Sequence, residues 1–99
     1  MRSLYYVCDA WQHECDFVVA RTDKEARRIF SDMYGGLSGY ADRVGAAEDF
    51  AESVWLGPDA PELAKLGGVR LASLDFPRWQ FGARVYGCEI PPAERYRMR

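Results

Sequence analysis

Apolar and polar positions along the first third of the chain follow two different periods. Leu4, Tyr5, Tyr6 and Val7, and then Phe17, Val18 and Val19, form strand-like runs separated by a polar break at Trp11-Gln12-His13-Glu14, which is the layout of a β-hairpin. Centring the turn on Trp11 and Gln12 opposes Leu4 with Val19, Tyr6 with Phe17 and Cys8 with Cys15. One face is then wholly apolar and is the expected core side, sheltered by the helix that follows, while Asp9, Glu14 and Asp16 fall on the other. Trp11-Gln12 lacks the Asn-Gly chemistry of a tight two-residue turn, so a longer loop around the same centre is expected.

The period then lengthens. Thr22-Asp23-Lys24-Glu25 is a capping box, in which the Thr22 hydroxyl accepts from the Glu25 amide and the Glu25 carboxylate reaches back. Ala26, Ile29, Phe30 and Met33 make one apolar stripe, Lys24, Arg27, Arg28 and Asp32 lie off it, and Gly35-Gly36 supplies the stop. Leu37, Tyr40, Ala41, Val44, Ala47, Ala51, Val54 and Trp55 keep roughly helical spacing and predict a second helix, although Gly39 and Gly45 weaken it and a strand over Phe50 to Leu56 is the alternative. Asp59 is the expected cap of a short helical turn through Pro61, Glu62 and Leu63 that ends at Gly67-Gly68. Val69 to Phe76 and Phe81 to Ile90 read as two strands joined across Pro77-Arg78-Trp79-Gln80, and Pro91-Pro92 closes the fold.

The order ββα(α)ββ predicts an α+β fold, a small antiparallel sheet with its helices packed on one face. A lone hairpin is marginal in water, so the first and last strand pairs are expected to share one four-stranded sheet. The 99 residues leave no room for two cores, and the expected organisation is one domain over residues 1–92 with a basic, mobile tail at 93–99. With 48% hydrophobic and 28% charged residues the chain belongs with globular proteins. Its apolar runs are too short to cross a bilayer and no signal-type stretch opens it, so neither membrane nor export is expected. Three cysteines cannot all pair within a monomer, which favours a reducing, cytoplasmic compartment.

Candidate chemistry is sparse. Cys8, His13, Cys15 and Cys88 are together a zinc-type ligand set, but no Cys-x-x-Cys knuckle is present. Thiols packed as small hydrophobes are the simpler reading, and a Cys8–Cys15 cross-strand disulfide is a third. A cysteine nucleophile with His13 as base would need Asp9, Glu14 or Asp16 to orient the imidazole, and neighbours in a tight hairpin seldom converge on one pocket. Glu48, Asp49 and Glu52 read as the solvated side of a helix or as an acidic patch for a basic partner. The run Gly35-Gly36-Leu37-Ser38-Gly39 has no lysine where a phosphate loop needs one. The reading is therefore non-enzymatic, with no cofactor.

Charge is distributed unevenly: the net value is −2, but residues 42–64 carry −5 and residues 65–99 carry +4. Arg70, Arg78, Arg84, Arg95, Arg97 and Arg99 share the basic third with Trp79, Tyr86 and Tyr96, a set suited to nucleic acid or to a protein interface. A pI near 5.3 favours the second. In size, aromatic content and lack of a catalytic constellation the chain resembles, in type and without any shared motif, phage-borne or mobile-element inhibitors such as anti-CRISPR proteins. That resemblance implies a cytoplasmic interaction module acting on a larger protein or nucleoprotein complex. Trp11, Arg78, Trp79, Arg95 and Arg97 are its expected contact residues, with Glu48, Asp49 and Glu52 as a second patch. Two of the three tryptophans fall in predicted turns, where burial is hard.

Overall fold

The computed structural model describes residues 1–11, 14–71 and 77–87. The chain runs β1 (Ser3–Asp9), β2 (Cys15–Ala20), α1 (Asp23–Tyr34), β3 (Ser38–Ala46), β4 (Val54–Gly57), α2 (Glu62–Lys65), β5 (Val69–Leu71), β6 (Arg78–Phe81) and β7 (Arg84–Tyr86). It is an α+β fold with antiparallel pairing throughout, as the element pattern predicts. The strands divide into two sheets, β3-β1-β2-β4 and β5-β6-β7, so the expected union of first and last strands in one sheet is corrected.

The hairpin register is the predicted one: Leu4 opposes Val19, Tyr6 opposes Phe17 and Cys8 opposes Cys15. The side of the sheet that α1 covers is not. Ala26 and Phe30 of α1 pack on Tyr5, Val7, Val18 and Ala20, the hairpin face expected to be solvated. The opposite face, with Leu4, Tyr6, Cys8, Phe17 and Val19, packs on Leu63 of α2 and on Trp79 and Tyr86 of the small sheet. The helices therefore lie on opposite sides of the large sheet. The physical reason is in the strands themselves, because a run such as Leu4-Tyr5-Tyr6-Val7 is apolar at every position and can be satisfied only where both faces are covered. Tyr6, Phe17, Phe81 and Tyr86 meet in the layer between the sheets, with ring centroids 5.0 to 6.2 Å apart.

The capping box at α1 is formed, with Thr22 Oγ1 accepting from the Glu25 amide at 3.1 Å. The Glu25 carboxylate accepts from the Arg21 amide at 3.2 Å and also from the Ser53 hydroxyl, so the cap is tied to the loop before β4. Gly35, left-handed at φ 70°, ends the helix by donating to the Ser31 carbonyl.

The second helix predicted from Leu37 onward is corrected to strands β3 and β4. β3 completes the open edge of β1, and the two glycines that spoil a helix sit where its register shifts, between Leu4 and Tyr5 and between Cys8 and Asp9. Gly39 is required there, since a Cβ would stand 2.6 Å from the Asp9 carbonyl oxygen. α2 starts at Glu62 after Pro61 without a side-chain cap. Asp59, its expected cap, pairs instead with Arg70 at 2.8 Å.

The connection predicted over Pro77-Arg78-Trp79-Gln80 is also corrected, because Arg78–Phe81 is strand β6. Alternation sends Trp79 and Phe81 inward, and the turn falls at Gly82-Ala83, where Gly82 supplies φ 60°. Val69–Leu71 realises the start of the strand expected to reach Phe76, and residues 72–76 lie outside the described residues.

Candidate interaction surface

Strands β1 and β2 run the length of the large sheet, so their two ends separate the features that the sequence singles out. At one end are the β1–β2 turn and the connection from α1 to β3. These two turns are joined, because the Ala10 amide donates to the Leu37 carbonyl at 3.3 Å while Asp9 pairs with Ser38. Trp11 on the first is 71% exposed and Leu37 on the second 82%. Met33 in the last turn of α1 is 50% exposed, and Tyr34 and Tyr40 show part of their rings to solvent. Among the described residues this end gathers five large apolar side chains, whereas Met1, Val54, Val69 and Val85 are exposed elsewhere on the surface.

Beneath this end a buried carboxylate ties three elements together. Asp16, only 1% exposed, lies on the α1 side of β2. Its Oδ2 accepts from the Tyr34 hydroxyl and, at 2.9 Å, from Trp55 Nε1. One buried carboxylate therefore links the end of α1 to β2 and to edge strand β4. Burial, and secondarily the bond to Asp16, raises the Tyr34 phenol well above its ordinary pKa. The Tyr34 ring also packs on Phe30 at 4.8 Å. On the opposite sheet face Tyr40 accepts from the Cys8 thiol at 3.3 Å, and burial followed by that contact raises its phenol too.

Glu48, Asp49 and Glu52 lie at the other end of the sheet, in the loop between β3 and β4, and all three are exposed. They are loop residues, which corrects the helix face on which they were placed. The loop is anchored at its base by Arg2, which donates to the Ser53 hydroxyl at 3.3 Å and to the Phe50 carbonyl at 3.4 Å. A seven-residue strand at ~3.3 Å per residue puts this acidic loop roughly 20 Å from Trp11. The two expected patches are not one site.

Trp79 is 4% exposed, with Nε1 donating to the Pro58 carbonyl at 3.1 Å. Its expected place in a surface turn is overturned, and its ring is a core ring. Arg78 beside it is half-buried on β6. Among the arginines read as a nucleic-acid footprint, Arg70 is engaged by Asp59 and by the Leu71 carbonyl, and Tyr86 is buried. The basic third therefore does not offer Trp79 or Tyr86 as a stacking surface. Arg95, Arg97, Arg99 and Tyr96 lie outside the described residues, as do His13 and Cys88 of the possible zinc set. Of that set Cys8 and Cys15 are brought together as opposed thiols, and no metal-type cluster occurs among the described residues.

Between β3, the end of α2 and the β6–β7 turn lies a cavity of about 290 Å³, lined by Leu4, Val44, Leu66, Phe81 and backbone around Gly45 and Gly82. Among the described residues it carries no acid, base or nucleophile. No helix among them is long and apolar enough to cross a membrane.

Leu37, Met33 and Tyr40 were missed as surface residues because helical spacing assigned each to an apolar stripe. The available signal was Leu37 itself, a large apolar residue set in a Gly-Gly-Leu-Ser-Gly run where no element can bury it. The chain matches no family model, no curated protein and no solved structure.

Proposed function

We propose that the chain is a non-enzymatic interaction module that binds a larger protein through the end of the sheet bearing Trp11, Leu37 and Met33. The observation that carries this reading is the adjacency of Trp11 and Leu37, exposed on two turns that hydrogen-bond to each other. Tryptophan contributes disproportionately to protein interfaces, and Trp11 and Leu37 are already exposed side by side without any rearrangement of the described backbone. An inhibitor of phage or mobile-element origin, acting in the cytoplasm on a protein or nucleoprotein complex, is the type of molecule that fits. Glu48, Asp49 and Glu52 form a separate acidic surface that adds long-range steering toward a basic partner.

The test is capture from the native host with the tagged chain. Trp11→Ala combined with Leu37→Ser should abolish recovery of the wild-type partner while leaving the fold intact by circular dichroism. Replacing Glu48, Asp49 and Glu52 together by Ala should slow association and leave recovery at equilibrium. Undiminished capture by the Trp11/Leu37 double variant rules the assignment out.

A further inference from the structure

Cys8 and Cys15 occupy a special position in the hairpin. The Asp9 amide donates to the Glu14 carbonyl at 2.9 Å, which makes residues 9 and 14 a hydrogen-bonded pair. Pairs alternate along an antiparallel ladder, so Cys8 and Cys15, opposed in the next position, form a pair without mutual backbone hydrogen bonds. In such pairs the Cα atoms approach to ~4.5 Å and the side chains stand on the same face. That separation lies inside the roughly 4.4–6.8 Å range that a disulfide spans. Both residues carry thiols here. Cys15 is partly exposed and Cys8 is buried.

We infer that Cys8 and Cys15 form a reversible dithiol–disulfide switch at the base of the Trp11 turn, with Cys15 as the attacking thiol and Cys8 as the resolving one. The co-reactant is a low-molecular-weight disulfide such as oxidised glutathione. The Cys15 thiolate attacks one sulfur of that disulfide, forming a mixed disulfide and releasing one small thiolate. The Cys8 thiolate then attacks the Cys15 sulfur, closing the intramolecular bond and releasing the second small thiolate. Two electrons pass from the protein to the small disulfide, and the protein loses two protons. Closure encircles only residues 9–14, so it restricts the unfolded chain less than a bridge across a long loop would, and small thiols reverse it by exchange. It also removes the hydrogen that Cys8 donates to Tyr40, so oxidation is communicated to a residue at the same end of the sheet as Trp11 and Leu37.

Trypsin gives a direct test, because Arg2 and Arg21 bracket both thiols on one peptide while Arg84 and Arg95 bracket Cys88 on another. Reduced full-length protein is incubated with excess oxidised glutathione, quenched with iodoacetamide and mapped by mass. The expected map has peptide 3–21 unalkylated and lighter by two hydrogens, with no cross-link to the Cys88 peptide, and reduced glutathione restores both alkylations of peptide 3–21. Cys88→Ser should close the same bond, and Cys8→Ser should retain one glutathione on Cys15. A cross-link between the two peptides, double alkylation of peptide 3–21, or a persistent glutathione adduct on wild-type peptide 3–21 would each overturn the inference. The wild-type and Cys88→Ser maps decide it even if Cys8→Ser does not fold.

Discussion

Replacing Asp16 by Ala removes the acceptor shared by Tyr34 and Trp55. A hydrogen bond to a charged group contributes ~1.5–3 kcal/mol, so two set an upper bound of roughly 3–6 kcal/mol. Two effects reduce that figure. The cost of desolvating the buried carboxylate disappears with it, and Tyr34 and Trp55 are not fully buried, so water can reach the donors left behind. The expected net loss is about 2 kcal/mol, a large share of the ~5–15 kcal/mol that stabilises a small domain. With a urea slope of ~1–3 kcal/mol/M it appears as a fall of roughly 0.7–2 M in the unfolding midpoint followed by far-ultraviolet circular dichroism. Tyr34→Phe should cost about 1 kcal/mol in the wild type and almost nothing in the Asp16→Ala background. If Asp16→Ala shifts the midpoint by less than the wild-type replicate error, or raises it, the clamp between α1, β2 and β4 is not a stabilising element.

Trp79→Ala should cost ~3–5 kcal/mol because it empties the layer between the sheets, whereas Trp11→Ala should stay within about 0.5 kcal/mol; thermal denaturation of both separates the core ring from the surface one. Gly39→Ala should destabilise by ~1–3 kcal/mol through its clash with the Asp9 carbonyl, while Gly45→Ala, whose Cβ meets open space, should stabilise by roughly 0.5 kcal/mol. The hydrogen bond from Ser53, and then that from the Arg21 amide, hold the Glu25 pKa below its ordinary 4.5. A carboxylate with a depressed folded-state pKa contributes stability above its unfolded pKa and loses it as pH falls through the folded value. Wild-type urea midpoints should therefore drop below about pH 4.5 more steeply than those of Glu25→Gln.

The local signals in the sequence were read correctly wherever chemistry and period agreed. The hairpin register followed from pairing Leu4 with Val19 and Tyr6 with Phe17, and the Thr22–Glu25 box located α1 to the residue. What failed was tertiary. Nothing local in Leu37 to Ala47 says that an open strand edge on β1 is waiting, so helical spacing prevailed over the helix-weakening glycines, which sit at the register shifts of β3. Trp79 next to Pro77 looked like a turn residue because the aromatic layer it fills is built from β1 and β2, some sixty residues earlier. Asp16 looked solvated because alternation was applied to a strand with apolar residues on both faces. Of the proposed surface, the sequence reading names Trp11 alone, since its neighbour Leu37 arrives through the backbone bond between two turns far apart in sequence.

Hydrogen–deuterium exchange on the chain alone and on its complex with the partner captured by the wild type would locate the contact surface. Slowed exchange over residues 9–11 and 33–40, with residues 47–53 unchanged, is the result expected if the apolar end of the large sheet is the binding surface. Slowing confined to residues 47–53, or to the outer strands of the small sheet, would place the contact elsewhere and contradict it.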